Sequence, residues 1–248
     1  MTESPSRAGR RSGLAAANLA AAVVFVVLFA LGVWQVQRRA WKLDLIHRVE
    51  TRVHAPPAMP PEKARWPHID AAHDEYRHVR VNGAFLPVRP ALVQAVTDLG
   101  GGYWVIAPLR MADGSVVLVN RGFVPSDRRA DAAAPPSGPA EVTGLLRLSE
   151  PGGGFLRNND PAADRWYSRD VAAIAAARGV TDVAPFFIDA DRTGAPGEPV
   201  GGLTVLHFPN NHLLYALTWF AMALLLAGAV IHLNIQRQRN DRSFAGDP

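Results

Sequence analysis

Two long stretches without charged residues, one towards each end of the chain, dominate its pattern of hydrophobic and polar positions. The first lies between Arg11 and Arg38, and the second lies between Glu198 and Arg237, with its apolar part at about 213–233. At about 1.5 Å per residue, each apolar run is long enough as a helix to cross the roughly 30 Å hydrocarbon core of a bilayer. The pattern therefore predicts two transmembrane helices.

Two other interpretations of these stretches are a cleaved secretion signal for the first and buried helices of a soluble protein for both. A signal has a shorter hydrophobic region followed by a cleavage site of the A-x-A type, whereas the alanines here cluster at the start of the run, in residues 15–22. Uncharged runs of this length are also atypical of soluble helices. We therefore predict two retained spans.

Between the spans, short apolar or alternating runs separated by turn residues indicate β-strands. Asp113-Gly114 is typical of hairpin turns, and glycine clusters such as Gly100–Gly102 and Gly152–Gly154 separate other runs. The predicted strands are at 78–86, 103–109, 115–120, 141–148 and 185–191. A small antiparallel sheet or barrel accounts for this pattern.

Helical and extended segments are predicted around these strands. A helix at 169–178 fits the sequence, because Ser168 can cap its start and Gly179 can end it. Residues 38–54 are predicted to continue the first membrane helix, since apolar residues recur there at helical spacing. The proline-rich residues 55–68 predict an extended connection.

The predicted fold class is a membrane protein in which two transmembrane α-helices flank a mainly-β extracytoplasmic domain of α+β type. This domain is long enough to bury a core without disulfides, which a chain without cysteine cannot form. The predicted segments are a cytoplasmic tail at 1–13, a transmembrane helix at 14–37, the mainly-β domain at 38–208, a second transmembrane helix at 209–234 and a cytoplasmic tail at 235–248.

The net charge of +4 comes from residues beside the spans and does not indicate a nucleic-acid partner. Residues 43–207 hold 17 basic and 19 acidic residues, whereas basic residues precede the first span and follow the second. The tendency of basic flanks to stay inside predicts two cytoplasmic termini, although the basic cluster at 38–42 argues weakly against it. The middle region then faces the periplasm, or the intermembrane space of a mitochondrion.

The composition also predicts the kind of organism and the membrane in which the protein resides. Arginine outnumbers lysine by 24 to 2 and alanine is abundant, which suggests a GC-rich bacterial genome. We therefore expect the protein in a bacterial inner membrane, with lipid as one partner.

Few residues outside the spans offer chemistry, and we expect no enzyme. The sequence has no nucleophile elbow, no zinc-protease motif and no phosphate-binding glycine loop. His68, His73 and His78 are five residues apart, which suits neither a helix face nor a strand face, so solvated histidines are favoured over a metal site. Asp189 and Asp191 could serve acid–base chemistry, but a solvated strand end is the more common explanation.

The strongest candidate site lies at the outer end of the second span. If Asn210 or Asn211 caps the helix, His212, Tyr215 and Trp219 share one face. A neutral imidazole at this depth can ligate haem iron, and the aromatic rings can pack against a macrocycle. The alternative is an ordinary belt of interfacial aromatic residues.

The outer end of the first span offers a matching set of residues. Trp34, Arg38 and Trp41 follow helical spacing, and Arg38 would meet either lipid phosphate or a carboxylate of a ligand. His232 is 20 residues from His212, about 30 Å along a helix, and belongs to the other membrane face.

Taken together, the chain resembles the SURF1 (Surfeit locus 1) family of cytochrome c oxidase assembly proteins. The runs VNRGFVP and PNNHLLYALTWF are the most specific, and the proline-rich loops at 55–68 and 127–139 match little. The matching stretches are Leu31–Lys42, Val81–Phe85, Gly102–Pro125, Gly144–Pro151, Asn158–Val171, Pro185–Asp191 and Pro209–Phe220.

The resemblance implies an assembly factor that binds haem a and assists its insertion into subunit I of a haem–copper oxidase. Under it, the haem-ligating histidine falls on His212, Trp219 is part of the haem environment, and Gly122 serves backbone conformation. Tyr215 is added to the lining of the site from its place on the same helix face. Arg38 as a partner of a haem propionate is our own addition. Expected partners are oxidase subunit I and haem a synthase. The alternatives are a scaffold that docks oxidase subunits without binding haem, and a membrane-anchored enzyme.

Overall fold

The computed structural model describes residues 7–132, 135–154, 156–192, 198–204 and 210–243. The predicted start of the second span at Pro209 and the outermost residues of both predicted tails lie outside this part. The chain forms two compact units, one of residues 1–46 with 207–248 and one of residues 47–206.

Three α-helices and six β-strands make up the regular structure of the described residues. The helices are α1 (Arg7–Val53), α2 (Val171–Ala177) and α3 (His212–Ser243). The strands are β1 (His78–Phe85), β2 (Ala91–Thr97), β3 (Gly100–Met111), β4 (Val116–Pro125), β5 (Pro139–Leu148) and β6 (Val183–Ala190). Short 3₁₀ helices lie at Lys63–His68 and Ser126–Asp131.

The first unit is a pair of packed helices, formed by α3 and the part of α1 up to Ile46. The Phe29 and Phe220 rings lie 5.4 Å apart between their centroids, and the missing side chain of Gly32 leaves the space that the Phe220 ring occupies. Only 6% and 11% of the most apolar windows of the two helices are buried within the protein. The exposed apolar faces are suited to lipid, and the prediction of two spans is confirmed.

The second unit contains a closed five-stranded barrel. The strand order is β1-β5-β6-β4-β3, and β1 also pairs with β3, which closes the ring. The pairs are antiparallel except for β4 with β6, which is parallel. The strand β2 lies outside the ring, paired with β3. The predicted mainly-β domain is therefore a barrel with one added strand.

Gly83 stands where the barrel closes. It pairs with Met111 of β3 on one side and with Ala140 of β5 on the other. A Cβ atom at this position would collide with the carbonyl oxygen of Arg110. Gly83 is thus a point where β1 contacts strands on both sides.

Alternation along the strands gives the barrel two apolar surfaces. Inside the ring, the buried side chains include Val119, Leu146 and Phe186. On the outer surface, Leu118 and Phe187, each one residue away from an inward-facing neighbour, pack with Trp166 and with Ile174 of α2. The short helix α2 therefore packs on one side of the barrel.

The structure corrects the sequence predictions at several points. The strand β2 was not predicted, and Gly100–Gly102 begins β3 where a turn was expected. Asp170, and not Ser168, caps the start of α2. Its side chain accepts a hydrogen bond from the Ala173 N–H at 3.1 Å. Part of the segment predicted as extended, Lys63–His68, is a 3₁₀ helix.

Other local predictions are confirmed. The helix α1 continues to Val53, as its periodicity indicated, and the remaining predicted strands correspond to β1 and β3–β6. Gly179 follows α2 with a positive φ of 66°, the conformation that ends many helices.

Candidate functional site

The histidine singled out by the sequence is the first residue of α3. The Tyr215 N–H donates to the Asn211 carbonyl oxygen at 3.2 Å, so Asn211 occupies the cap position through its backbone. The Asn210 Oδ1 is buried without a hydrogen-bond partner among the described residues. The start of α3 therefore lies where the sequence predicted it, with the cap on Asn211.

The imidazole of His212 is held by a glutamine of the other helix. Its Nδ1 atom lies 2.8 Å from the Oε1 atom of Gln35, whose side chain is on α1. Because a carbonyl oxygen only accepts, Nδ1 is the donor in this contact, and a neutral imidazole held in this way keeps its lone pair on Nε2. Gln35 is only 9% exposed, so this polar contact is formed in the apolar surroundings of the helix pair.

Small residues next to this pair let the two helices approach closely. Ala216 lies one turn beyond His212 on α3 and is buried, and Gly32 lies almost one turn before Gln35 on α1. The resulting helix seam, consisting of Phe29, Gly32, Gln35, His212, Ala216 and Phe220, holds the histidine ring against α1.

The two aromatic residues of the predicted site lie on one side of α3. At 100° per residue, Trp219 projects within about 20° of His212 and roughly 10 Å further along the helix, while Tyr215 is offset by about 60°. Ala216 is offset in the opposite sense, towards the seam. Tyr215 is exposed and Trp219 is half-buried. The aromatic side chains therefore line the surface of α3 beside the histidine.

Arg38 lies one turn beyond Gln35 on α1. Its side chain is exposed, and its guanidinium carbon lies 4.3 Å from the ring centroid of Trp41. The structure thus brings His212 together with Gln35 and pairs Arg38 with Trp41.

A second polar cluster lies on the barrel and is centred on a buried carboxylate. Asp189, 5% exposed, accepts from Asn120 Nδ2 at 2.8 Å, from Thr204 Oγ1 at 3.0 Å and from the guanidinium groups of Arg147 and Arg169 at 3.1–3.3 Å. These residues border a cavity of about 250 Å³. Each carboxylate oxygen of Asp189 therefore already has hydrogen-bond donors.

The two arginines of this cluster are paired with further carboxylates. The Nε of Arg169 lies 3.0 Å from Glu150 Oε2, and the Nε of Arg147 lies 3.2 Å from Glu75 Oε1. Burial by itself raises the pKa of Glu150, but hydrogen bonds from Arg169 and the charges of Arg169 and Arg147 outweigh it, so the pKa lies below its usual value. This arrangement is a stabilising ion network.

The pair of aspartates considered for acid–base chemistry is divided between different partners. Asp191 contacts the Nε2 of His78 at 2.8 Å, and the Nδ1 of that ring lies 2.9 Å from the Ala55 carbonyl oxygen. His73 contacts Asp70. In the part of the chain that the structure describes, no group of three histidine or acidic residues could hold a metal ion.

The sequence analysis did not place Gln35 in the site. The available signal was its position, an amide within an otherwise apolar helix, because a polar side chain in a membrane span usually requires a partner. The identity of that partner, 177 positions away, could not be read from spacing.

Gly122, in the strand motif of the predicted family, has a backbone role. Its φ is +129°, a backbone conformation that residues with a side chain rarely adopt. A Cβ atom there would also collide with the backbone of Val200. The expectation that Gly122 serves backbone conformation is confirmed.

These features define a membrane protein with two spans and a five-stranded barrel in the segment that connects them. A histidine–glutamine pair lies where the two spans join this connecting segment. The sequence pattern of the SURF1 family matches residues 22–224. The chain belongs to the SURF1 family.

Individual relatives cover most of the chain. It is 34% identical to Surfeit locus protein 1 of Homo sapiens, over 88% of this chain and 81% of the human protein. It is 37% identical to the protein of that name from Mus musculus, over 78% and 68% of the two chains. It is 35% identical to a SURF1-like protein of Monosiga brevicollis, over 88% and 87%.

Proposed function

We propose that this protein assists the assembly of a haem–copper oxidase by binding haem a and passing it to subunit I. Membership of the SURF1 family supports a role in cytochrome c oxidase assembly. The observation that carries the haem-binding part is the contact between His212 Nδ1 and Gln35, which leaves Nε2 of the neutral imidazole as the nitrogen that can bind iron. The haem is the cargo of this reaction and is not altered chemically.

The residues at the helix seam fit a haem. Haem iron accepts a neutral imidazole nitrogen, and metal-binding histidines typically donate their second N–H to a carbonyl or carboxylate oxygen. His212 has this arrangement with Gln35. The neighbouring surface of α3 carries Tyr215 and Trp219, which offer apolar rings to a macrocycle. Haem a is itself hydrophobic, which suits a site on two lipid-facing helices.

Arg38 is proposed as the partner of a haem propionate. Its exposed guanidinium lies on α1, one turn from Gln35, and Trp41 holds it by a cation–π contact. A charged group at this end of the span is suited to the boundary of the bilayer, where a propionate would also be solvated. The contact would orient the haem relative to His212.

The proposed setting is a bacterial inner membrane, with both termini in the cytoplasm and the barrel in the periplasm. Basic residues precede the apolar part of α1 and follow the apolar part of α3, and this distribution supports the proposed orientation. Oxidase subunit I as the receiver and haem a synthase as the supplier are the proposed partners, with no chemical turnover by this protein.

The test is an absorbance spectrum of the protein purified from cells that make haem a. We expect haem in the wild type and a loss of occupancy in His212→Ala. The matched control is His232→Ala on the same helix, because His232 contacts Gln236 near the other membrane face and should leave haem unchanged. An unaltered spectrum and occupancy in His212→Ala would remove the ligand assignment.

A scaffold without haem is the second candidate function. It is favoured by one observation, the exposed apolar residues at the β2–β3 hairpin, where Val96 is 87% exposed and Leu99 lies in the turn. Such residues are suited to contact with another protein. A colourless preparation that still copurifies with subunit I, and loses it on Val96→Ser with Leu99→Ser, would favour the scaffold.

A further inference from the structure

We propose that Gln35 is the positioning residue of the haem site: its side-chain carbonyl fixes the tautomer and direction of the His212 ring so that iron is bound through Nε2. This inference rests on the proposed haem-binding function and gives α1 a role at the iron-binding histidine, in addition to the proposed contact of Arg38 with a propionate. Haem binding then depends on the contact between α1 and α3.

The hydrogen bond determines which nitrogen is available. An isolated neutral imidazole exchanges its proton between Nδ1 and Nε2, so a free histidine offers iron either nitrogen. The Gln35 Oε1 at 2.8 Å from Nδ1 stabilises only the tautomer with the proton on Nδ1. It also opposes rotation of the ring, because a rotated ring would leave the amide oxygen of a buried glutamine without a donor.

The same contact changes the donor strength of the ring. A hydrogen bond from Nδ1–H to an acceptor draws the proton away from the ring and makes Nε2 a stronger electron donor. The iron–histidine bond should therefore be stronger with Gln35 than with an apolar residue at that position. Reduced haem reports this as a higher iron–histidine stretching frequency.

A purely structural role for Gln35, as a polar contact that pairs the helices, makes a different prediction. A second interhelical amide contact, between Asn18 and Asn234 at 3.3–3.4 Å, offers the comparison. It lies 17 residues from Gln35 on α1, roughly 26 Å along the helix. Loss of this pair weakens helix association without touching the His212 ring.

The experiment titrates ferric haem a into the purified full-length protein in detergent and then records resonance Raman spectra of the reduced, saturated samples. The test variant is Gln35→Leu, and Gln35→Glu keeps an acceptor oxygen at the same position. Gln37→Leu is the matched control, because Gln37 is an exposed amide two residues further along the same helix. Asn18→Leu controls for helix pairing.

We expect Gln35→Leu to weaken haem binding by about 10–100-fold, the usual effect of removing the partner of a metal-binding histidine. The iron–histidine frequency of the remaining complex should fall. Gln35→Glu should bind close to the wild type with an equal or higher frequency, and Gln37→Leu should match the wild type in both measurements.

The outcomes separate this inference from the function on which it rests. If His212→Ala keeps affinity and spectrum, the haem-ligand function fails and the inference with it. If His212→Ala loses haem but Gln35→Leu matches the wild type, only the role of Gln35 is overturned. It is also overturned if Gln35→Leu and Asn18→Leu lose affinity equally and both keep the wild-type frequency, since helix pairing then explains the loss.

Discussion

Asp189 and Arg169 form the centre of the ion network on the barrel, with the Nη1 of the arginine 3.1 and 3.2 Å from the two carboxylate oxygens. The two residues come from β6 and from the segment before α2, and Arg147 of β5 contacts the same carboxylate. The network therefore ties three parts of the barrel unit together through one buried charge.

Removal of this charge should destabilise the barrel. Breaking a buried ion pair by removing one partner typically costs about 3–5 kcal/mol, because the other charge is left uncompensated. We expect a loss of this order in the free energy of unfolding of Asp189→Ala, measured by near-ultraviolet circular dichroism in a urea titration of the full chain in detergent. Asp191→Ala is the control, because Asp191 is 48% exposed and an exposed pair contributes about 0–1 kcal/mol. Equal losses in the two variants would contradict the central position of Asp189.

The depressed pKa of Glu150 predicts a pH-dependent contribution to stability. A carboxyl group whose pKa is lower in the folded state stabilises the fold above its unfolded pKa, here near its usual value of 4.5. That contribution is lost as the pH falls through the lower folded pKa. The difference in unfolding free energy between wild type and Glu150→Gln should be greatest at neutral pH and should shrink below about pH 4.5. A difference that stays constant from pH 7 to pH 3 would show that the charge of Glu150 has no part in it.

Replacement of Gly122 should weaken the barrel without involving any ligand. Alanine at a φ of +129° is strained, and its Cβ would collide with the Val200 backbone, so the bridge between Phe123 and Val200 must shift. We expect Gly122→Ala to lose about 1–3 kcal/mol of stability. Gly114→Ala is the comparison, since Gly114 also has a positive φ but open space around it, and should lose less. Thermal unfolding of both variants in detergent measures the difference.

The interior of the barrel should be sensitive to lost volume. Leu146 is completely buried inside the ring, and truncation of a buried leucine to alanine costs about 2–5 kcal/mol. Leu146→Ala should therefore unfold at a clearly lower urea concentration than the wild type. Leu99→Ala, at the exposed hairpin turn, should be within about 0.5 kcal/mol of it. A stable Leu146→Ala variant would argue against a close-packed barrel interior.

Local sequence patterns were sufficient to predict both spans and most of the strands. The two spans follow from the length of the uncharged runs, and most strands follow from alternation between turn residues, both of which are properties of neighbouring positions. The missed strand β2 has the sequence ALVQAVT, whose apolar side chains do not alternate strictly. This segment forms a strand because it pairs with β3 on one side and with the backbone of Trp166 on the other.

For the candidate site, the sequence by itself determined that His212 stands at the start of a span beside Tyr215 and Trp219, because helical spacing is a local property. Only the tertiary structure decided that Gln35 bonds Nδ1, that Gly83 closes the barrel, and that the parallel pair β4–β6 forms part of the ring. Each of these contacts joins residues far apart in the chain. Their formation depends on the packing of whole elements, which neither spacing nor composition records.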